Sequence, residues 1–228
     1  MEKIKYKDLV DFVTKVLKSA NLDSFSLDSV VSGLCETSLR GVDSHGVRLL
    51  PHYLNSALNG RKNISPNFVF EKNFPSVGYL DADNAFGHAA GMKAIDIAIN
   101  LAEKEGVGIV AVGNSSHPGA MASMALRAAN KGYIAFAFTH ADALILSDGG
   151  QRPYFGTNPI CFAAPRQESE PYCLDMATSI VPWNRILIHK NSNTELEKNI
   201  AVDSHGEMTT DPNKAAAVLP TGGYKGYG

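Results

Sequence analysis

The pentapeptide "VDSHG" occurs twice in this chain of 228 residues, at 42–46 and at 202–206. Histidine titrates near neutral pH, so the histidine of either copy could transfer a proton. The first copy lies between two segments with apolar residues at helical spacing, and this setting would shield and position Ser44 and His45. We therefore expect His45, assisted by Ser44, to be the chemically active histidine of the pair.

The second copy has a different setting, between a short predicted strand and a Thr-Thr-Asp-Pro segment. Asp203 and Gly206 have the residue types that suit the first and last positions of a type I turn. We therefore expect His205 to lie on a turn that faces solvent, without a chemical role.

Three further stretches place polar residues beside predicted strands. His117 follows "VGIVAVG", Thr157 and Asn158 precede "ICFAAP", and Asp175 interrupts the apolar run of "CLDMATS". Ligand sites of open α/β sheets gather at strand ends, and a charge within an apolar strand needs a partner. A purely structural role remains open for each. His117 could bond to the loop backbone, Thr157 and Asn158 could be ordinary turn residues, and Asp175 could cap backbone amides.

These residues depend on two kinds of element. Three amphipathic helices are predicted within residues 1–72, the last of them over "VRLLPHYLNSALNG". Residues 73–228 alternate helix and strand: a helix from Gly87 to Glu105, a buried strand "VGIVAVG", and a helix from Pro118 to Gly132, with further strands after it. We expect an α/β protein, with an N-terminal helical subdomain (1–72) and an α/β domain (73–228).

Several functions are disfavoured by what the sequence does not contain. No GxGxxG pattern follows a strand ("FGHAAG" has the wrong spacing), and the P-loop and HExxH patterns are missing. The net charge of −2, without a long Lys/Arg cluster, disfavours nucleic-acid binding. No apolar run reaches the roughly 18 residues of a membrane span. Three cysteines without a CxxC pair suit reduced thiols in the cytosol.

The ordered set "RGVDSHG", "RLLPHY", "GTNPICFAAP", "DMATS", "GEMTTDP" and "LPTGGYKGYG" extends along essentially the whole chain. In this set the chain resembles the type-2 malate/L-lactate dehydrogenase family, which includes ureidoglycolate, sulfolactate and diketogulonate dehydrogenases. The resemblance implies an N-terminal helical subdomain plus a mixed-sheet α/β/α cofactor-binding domain that is not of the Rossmann type. It also implies a cytosolic homodimer that uses NAD or NADP to interconvert a small 2-hydroxy acid and its 2-oxo acid.

The resemblance also assigns roles to individual residues. The family's proton donor or acceptor corresponds to His45 in some members and to His117 in others, with Ser44 and Asp175 assisting. We prefer His45 because Ser44 offers it an orienting hydrogen bond. The candidate substrate contacts are Arg48, Thr157 and Asn158. The candidate cofactor contacts are Asp175, Met176, Ala177 and Lys225, which match family contacts, together with Thr178 and with Ala141, which stands where the family has Ser or Asn.

Departures from the family pattern leave the substrate open. Arg48 comes one residue early and Leu49 occupies the usual arginine position, a rotation of about 100° on a helix. "PWNR" follows "DMATS" where the family has a small residue, Gly and Lys, so Arg185 is a second candidate for a substrate carboxylate. Two alternatives remain: a metal-dependent hydrolase using His45, His117 and Asp175, and an inactive dehydrogenase fragment, since the chain stops on a Gly-rich loop.

The two "VDSHG" copies provide a matched test. If His45 is an acid–base group, His45→Ala should lower turnover by at least about 10²-fold. His205→Ala should change turnover little, because a solvated turn histidine contacts no substrate. Steady-state assays of both variants measure this, and equal losses would contradict the assignment.

Overall fold

The computed structural model describes residues 3–147 and 149–226 and divides into two compact units. The first unit runs up to Ala135 and includes Phe162–Cys173, and the second contains Phe136–Cys161 and the residues from Leu174 onward. The predicted boundary between residues 72 and 73 falls inside a strand of the first unit, β1 (Val69–Phe74).

Three helices begin the first unit: α1 (Tyr6–Lys18), α2 (Ser24–Leu39) and α3 (Leu50–Leu58). The Asp23 side chain caps α2 by accepting hydrogen bonds from the backbone N–H groups of Phe25 and Ser26. The apolar faces of these helices form one core. Its largest fully buried members are Val13, Leu17, Val30, Leu34 and Phe86, with Tyr53 2% exposed.

The third predicted helix has a different start from the one expected. A 3-10 helix (Val47–Leu49) comes first, and α3 begins only at Leu50, with Pro51 in its first turn. Proline is favoured in the first turn of a helix, because the backbone N–H that it lacks would have no partner within the helix there. The prediction of one continuous helix is therefore wrong at its N-terminal end.

The first sheet has the order β1-β2-β3, with β2 at Val77–Asp81 and β3 at Ile109–Gly113. β1 and β2 are antiparallel, whereas β2 and β3 are parallel and joined through α4 (Gly87–Glu105). The prediction that "VGIVAVG" is buried is wrong, since β3 ends the strand order and Ile109 is 54% exposed.

The helix predicted from Pro118 begins four residues later, as α5 (Ala122–Ala129). Gly119 has a φ of +74°, which an α-helix does not allow, so residues 114–121 form a loop that contains His117. At the other end, Gly132 has a φ of +90°, as expected where a chain leaves a helix.

The remaining strands form two small sheets. One has the order β6-β5-β10-β9 and mixes parallel and antiparallel pairs. The other has the order β4-β7-β8. Their strands are β4 (Ala135–Phe138), β5 (Ala143–Leu146), β6 (Pro153–Gly156), β7 (Ile160–Ala164), β8 (Tyr172–Met176), β9 (Ala201–Val202) and β10 (Ala217–Val218). The last helices are α6 (Trp183–Ser192) and α7 (Gly223–Gly226).

These elements confirm the predicted fold class. The protein is α/β, with N-terminal helices followed by small mixed sheets rather than one doubly wound parallel sheet. Among the described residues, no helix has the length and apolar character needed to cross a membrane.

Helix α2 provides a matched test of the helical core. Leu34 is fully buried, whereas Leu39 is 65% exposed on the same helix. Leu34→Ala should lower the free energy of unfolding by about 2–5 kcal/mol, because it leaves a cavity. Leu39→Ala should change it by less than about 0.5 kcal/mol. Denaturant titration measures both, and equal effects would show that this helix packs differently.

Candidate active site

The first "VDSHG" loop is fixed to the end of α2 by one serine. The backbone N–H of Val47 donates to Oγ of Ser38 at 2.9 Å, and that of His45 donates to the carbonyl of Val42 at 3.1 Å. A Cβ added to Gly46 would overlap Ser38 Oγ. The glycine therefore allows the loop to approach α2 closely, and this approach sets the position of His45.

The loop that contains His117 is fixed to the start of α4. The Ser116 hydroxyl donates to the carbonyl of Ala85 at 3.1 Å and accepts from the N–H of Gly87 at 3.0 Å. A Cβ on Gly87 would overlap the carbonyl oxygens of Ser116 and His117. The Ser116 hydroxyl thus ties the His117 loop to α4, and the lack of a side chain at Gly87 lets the loop come this close.

These two loops bring His45 and His117 together. Their rings stack with centroids 5.6 Å apart and planes 20° apart. Nδ1 of His45 lies 2.9 Å from Oγ of Ser44, and Nδ1 of His117 lies 2.7 Å from the hydroxyl of Tyr53. Each imidazole is therefore oriented through Nδ1 by a hydroxyl group.

Three residues next to this pair, His52, Tyr53 and His88, were not recognised as site residues from the sequence. Tyr53 makes edge-on ring contacts with His52 at 5.2 Å and with His88 at 5.0 Å. Three histidines, His52, His88 and His117, therefore contact one buried tyrosine, and His45 stacks on His117. The signals were present in "RLLPHY" and "FGHAAG", but the second was considered only for its glycine spacing.

His88 is fully buried, and neither of its ring nitrogens has a hydrogen-bond partner within the described chain. A Cβ on Gly33 or on Gly119 would overlap its ring. His88 is consequently held by packing between two glycines, and not by polar contacts. Its pKa is lowered to about 3, chiefly by burial and then by the charges of His117 and His45.

Burial also affects the pKa values of His117 and Tyr53. His117 as a residue is exposed, but desolvation of its ring by the surrounding protein lowers its pKa to about 4, and His45 and His52 add to this effect. Burial raises the pKa of Tyr53. Near neutral pH, His88 and His117 are neutral and Tyr53 keeps its proton. For His117 this shift is opposite to that expected for a histidine paired with Asp175.

The second unit brings together several residues assigned to substrate and cofactor. The Ala141 N–H donates to Oδ1 of Asn158 at 3.0 Å, and the Thr178 N–H donates to the carbonyl of Thr157 at 2.8 Å. The Thr221 N–H donates in turn to the carbonyl of Thr178 at 2.9 Å. The "GTNP", "DMATS" and "LPTGG" segments are therefore adjacent.

The remaining predicted residues of the second unit lie near its surface. Asp175 and Met176 end β8 and are exposed, Ala177 is half-buried, and Lys225 on α7 is exposed. Asp175 lies within strand β8, as the sequence predicts, but the strand is not buried, because four of its five residues are exposed. In the first unit, Arg48 is exposed on the 3-10 helix that follows His45.

The second "VDSHG" forms the predicted turn. The Gly206 N–H donates to the carbonyl of Asp203 at 3.1 Å, and Gly206 has a φ of +83°. The Asp203 carboxylate accepts from the N–H groups of His205 and Glu207, and these bonds lower its pKa. Ser204 and His205 are exposed. The predicted turn and the exposure of His205 are therefore confirmed.

No group of three or more His, Cys, Asp or Glu side chains is arranged to hold a metal ion in the part of the chain that the structure describes. The hydrolase alternative, which needs His45, His117 and Asp175 as joint ligands, therefore gains no support from the geometry.

A comparison with protein families matches residues 4–228 to malate/L-lactate dehydrogenase. The chain belongs to this family. The match covers both units, including the His45–His117 pair and the segments joined by Thr157 and Thr178.

Characterised members of the malate/L-lactate dehydrogenase family are similar along nearly the whole chain. A malate dehydrogenase of Pyrococcus abyssi is 36% identical over 99% of the chain, and an NAD(+) ureidoglycolate dehydrogenase of Escherichia coli K12 is 34% identical over 99%. The chain spans 65% of the length of each of these relatives.

Solved structures show the same fold. A malate dehydrogenase from Entamoeba histolytica has a TM-score of 0.93 at 29% identity, over 99% of this chain and 67% of that one. A delta1-piperideine-2-carboxylate reductase from Pseudomonas syringae has a TM-score of 0.91 at 28% identity, over 100% of this chain and 69% of that one.

The contact between Gly46 and Ser38 predicts a coupled pair of variants. Gly46→Ala should move the His45 loop off α2 and lower turnover by about 10²-fold, since small misplacements of a reacting group have effects of this size. The double variant Ser38→Ala/Gly46→Ala lacks the overlapping Ser38 oxygen. Its loss of turnover, on a logarithmic scale, should therefore be smaller than the sum of the losses in the two single variants. Kinetics of the three variants measure this, and strict additivity would rule out the contact.

The lowered pKa values predict acid sensitivity. An unfolded histidine titrates near 6.5, whereas His117 and His88 titrate near 4 and 3 in the folded protein. Between these values the unfolded state binds more protons, so the free energy of unfolding should fall as the pH is lowered from about 6.5 to 4. His88→Gln should weaken this dependence. Denaturant midpoints across this pH range measure it, and an unchanged slope in the variant would contradict the prediction.

Proposed function

We propose that the protein is an NAD- or NADP-dependent oxidoreductase that interconverts a small 2-hydroxy acid and its 2-oxo acid. The observation that carries the proposal is the stacked His45–His117 pair, in which a separate hydroxyl group orients each ring. Two relatives carry the coenzyme in their names, NAD(+) for the ureidoglycolate dehydrogenase and NADP(+) for a (2R)-3-sulfolactate dehydrogenase of Chromohalobacter salexigens.

His45 is the proton-transfer residue in this proposal. Its Nδ1 is engaged by Ser44, so the ring presents Nε2 in a fixed orientation, as a general acid or base requires. In the direction of oxidation His45 takes the proton of the substrate hydroxyl, and in reduction it returns a proton to the same oxygen. Such a residue contributes about 10²–10⁴ to the rate.

His117 has the complementary role of a hydrogen-bond donor to the substrate oxygen. With a pKa near 4 it is a weak base and carries little charge near neutral pH. A neutral imidazole that is pre-positioned beside a developing oxyanion stabilises it without having to transfer its proton. The stacked arrangement therefore divides the two tasks between two rings.

The second unit has groups that suit a nicotinamide dinucleotide, which supplies or takes up the hydride at C2 of the substrate when bound. The exposed Asp175 carboxylate suits ribose hydroxyls, and the exposed ammonium of Lys225 suits a phosphate. The bonds from Thr178 to Thr157 and from Thr221 to Thr178 keep this surface together. The proposed cofactor contacts are Ala141, Asp175, Met176, Ala177, Thr178 and Lys225.

Arg48 is the proposed partner of the substrate carboxylate. It is exposed and lies three residues after His45, whereas the guanidinium of Arg185 is already paired with Glu197. Thr157 and Asn158 complete the proposed substrate contacts, and Asn158 also holds Ala141. The homodimer and the cytosolic setting that the resemblance implies belong to the same proposal.

The test is a panel of 2-oxo acids, with and without sulfonate or second carboxylate groups, assayed with NADH and NADPH. A cyclic imino acid is included, because one of the structural relatives is named for such a substrate. We expect turnover with at least one 2-oxo acid, a preference for one coenzyme, and full activity in the presence of a chelator. Absence of turnover with every pair, or loss of activity with the chelator, would contradict the proposal.

A further inference from the structure

Tyr53 is the residue that joins His117 to the helical core. Its ring is 2% exposed within α3 and contacts Phe86 and His88. Its hydroxyl lies 2.7 Å from Nδ1 of His117, which is its one hydrogen-bond partner in the described part of the chain. The direction of this single bond determines where the proton of His117 resides.

The direction follows from the need to satisfy buried donors. A neutral imidazole donates through one ring nitrogen and accepts through the other, and a phenol has one proton to donate. If His117 donated from Nδ1, the Tyr53 proton would be buried without an acceptor, which is unfavourable. If Tyr53 donates to Nδ1, the proton has its acceptor and only an oxygen lone pair is left unused.

The packing around Tyr53 keeps its hydroxyl in this position. His88 contacts the ring edge-on, with planes 72° apart, and Gly33 and Gly119 leave His88 no room to move aside. Because His88 is itself neutral and without polar partners, it acts on Tyr53 through shape rather than through charge or a competing hydrogen bond.

Resting on the function proposed above, we propose that Tyr53 is a positioning residue that fixes the tautomer of His117. Its hydroxyl donates to Nδ1, so the His117 proton is on Nε2, and His117 presents an N–H donor to the oxygen of the substrate. A donor that is set before binding favours the carbonyl of a 2-oxo acid, which only accepts hydrogen bonds. His45 remains the residue that transfers the proton.

The first test needs no substrate. In protein labelled with ¹⁵N-histidine, the imidazole resonances report which ring nitrogen carries the proton. The chain has seven histidines, and the spectrum of His117→Gln identifies the resonances of His117. We expect His117 to be protonated on Nε2 and unprotonated on Nδ1 near pH 7. Protonation on Nδ1 in the wild-type protein would overturn the proposal.

The second test removes the hydroxyl and keeps the ring. In Tyr53→Phe, the Nδ1–H tautomer of His117 should become populated, and kcat for 2-oxo acid reduction should fall about tenfold, a fraction of the loss for a deleted oxyanion donor, with KM changed less than about twofold. Tyr79→Phe is the control, because Tyr79 is 40% exposed on β2 and is not among the rings that contact Tyr53 or His117. It should match wild type in both measurements.

The outcomes separate this inference from the proposed function. An unchanged His117 tautomer in Tyr53→Phe, or equal kcat losses in Tyr53→Phe and Tyr79→Phe, would overturn the role of Tyr53. If the wild-type protein reduces no substrate of the panel, the proposed function fails, while the tautomers of His117 in the two proteins still decide whether Tyr53 sets them.

Discussion

The hydrogen bond between Tyr53 and His117 is the contact on which the candidate site depends. It connects the core of the N-terminal helices to a loop that follows the first sheet, and it lies beside the stacked ring of His45. Helix α3 buries Tyr53, α4 provides His88 and the anchor for Ser116, and the end of α2 holds the His45 loop. Together these elements position one small polar cluster beside the apolar core.

This arrangement has a cost in stability that an apolar core would avoid. His88 is buried with both nitrogens unpaired, and His117 is held largely neutral by its surroundings. Unsatisfied buried polar groups are rare in native proteins and usually have a functional explanation. Here the explanation is geometric: neutral rings can stack and pack closely, whereas protonated imidazoles at the same distances would repel one another.

Much of the fold was predictable from the sequence, because apolar spacing, caps and glycines determine local structure. The helices that contain Leu17, Leu34 and Met92 and the turn at Asp203 followed from these rules. Burial was less predictable: the apolar β3 proved exposed, since hydrophobicity does not reveal which strand ends a sheet. The family resemblance identified both His45 and His117 as candidates, but not the stacking of one ring on the other. The role of Tyr53 could not, since a tyrosine at helical spacing is indistinguishable from an ordinary core residue until its hydroxyl partner is known.

The division of tasks between the two histidines is the central claim, and the pH dependence of kcat/KM for 2-oxo acid reduction tests it most directly. Reduction requires a protonated donor, so the wild-type profile should fall on the alkaline side. His45→Gln should lose this alkaline limb, whereas His117→Gln should keep it at a lower rate, because a flexible amide replaces the pre-positioned imidazole donor while the proton source stays in place. An alkaline limb that persists in His45→Gln and disappears in His117→Gln would contradict the account.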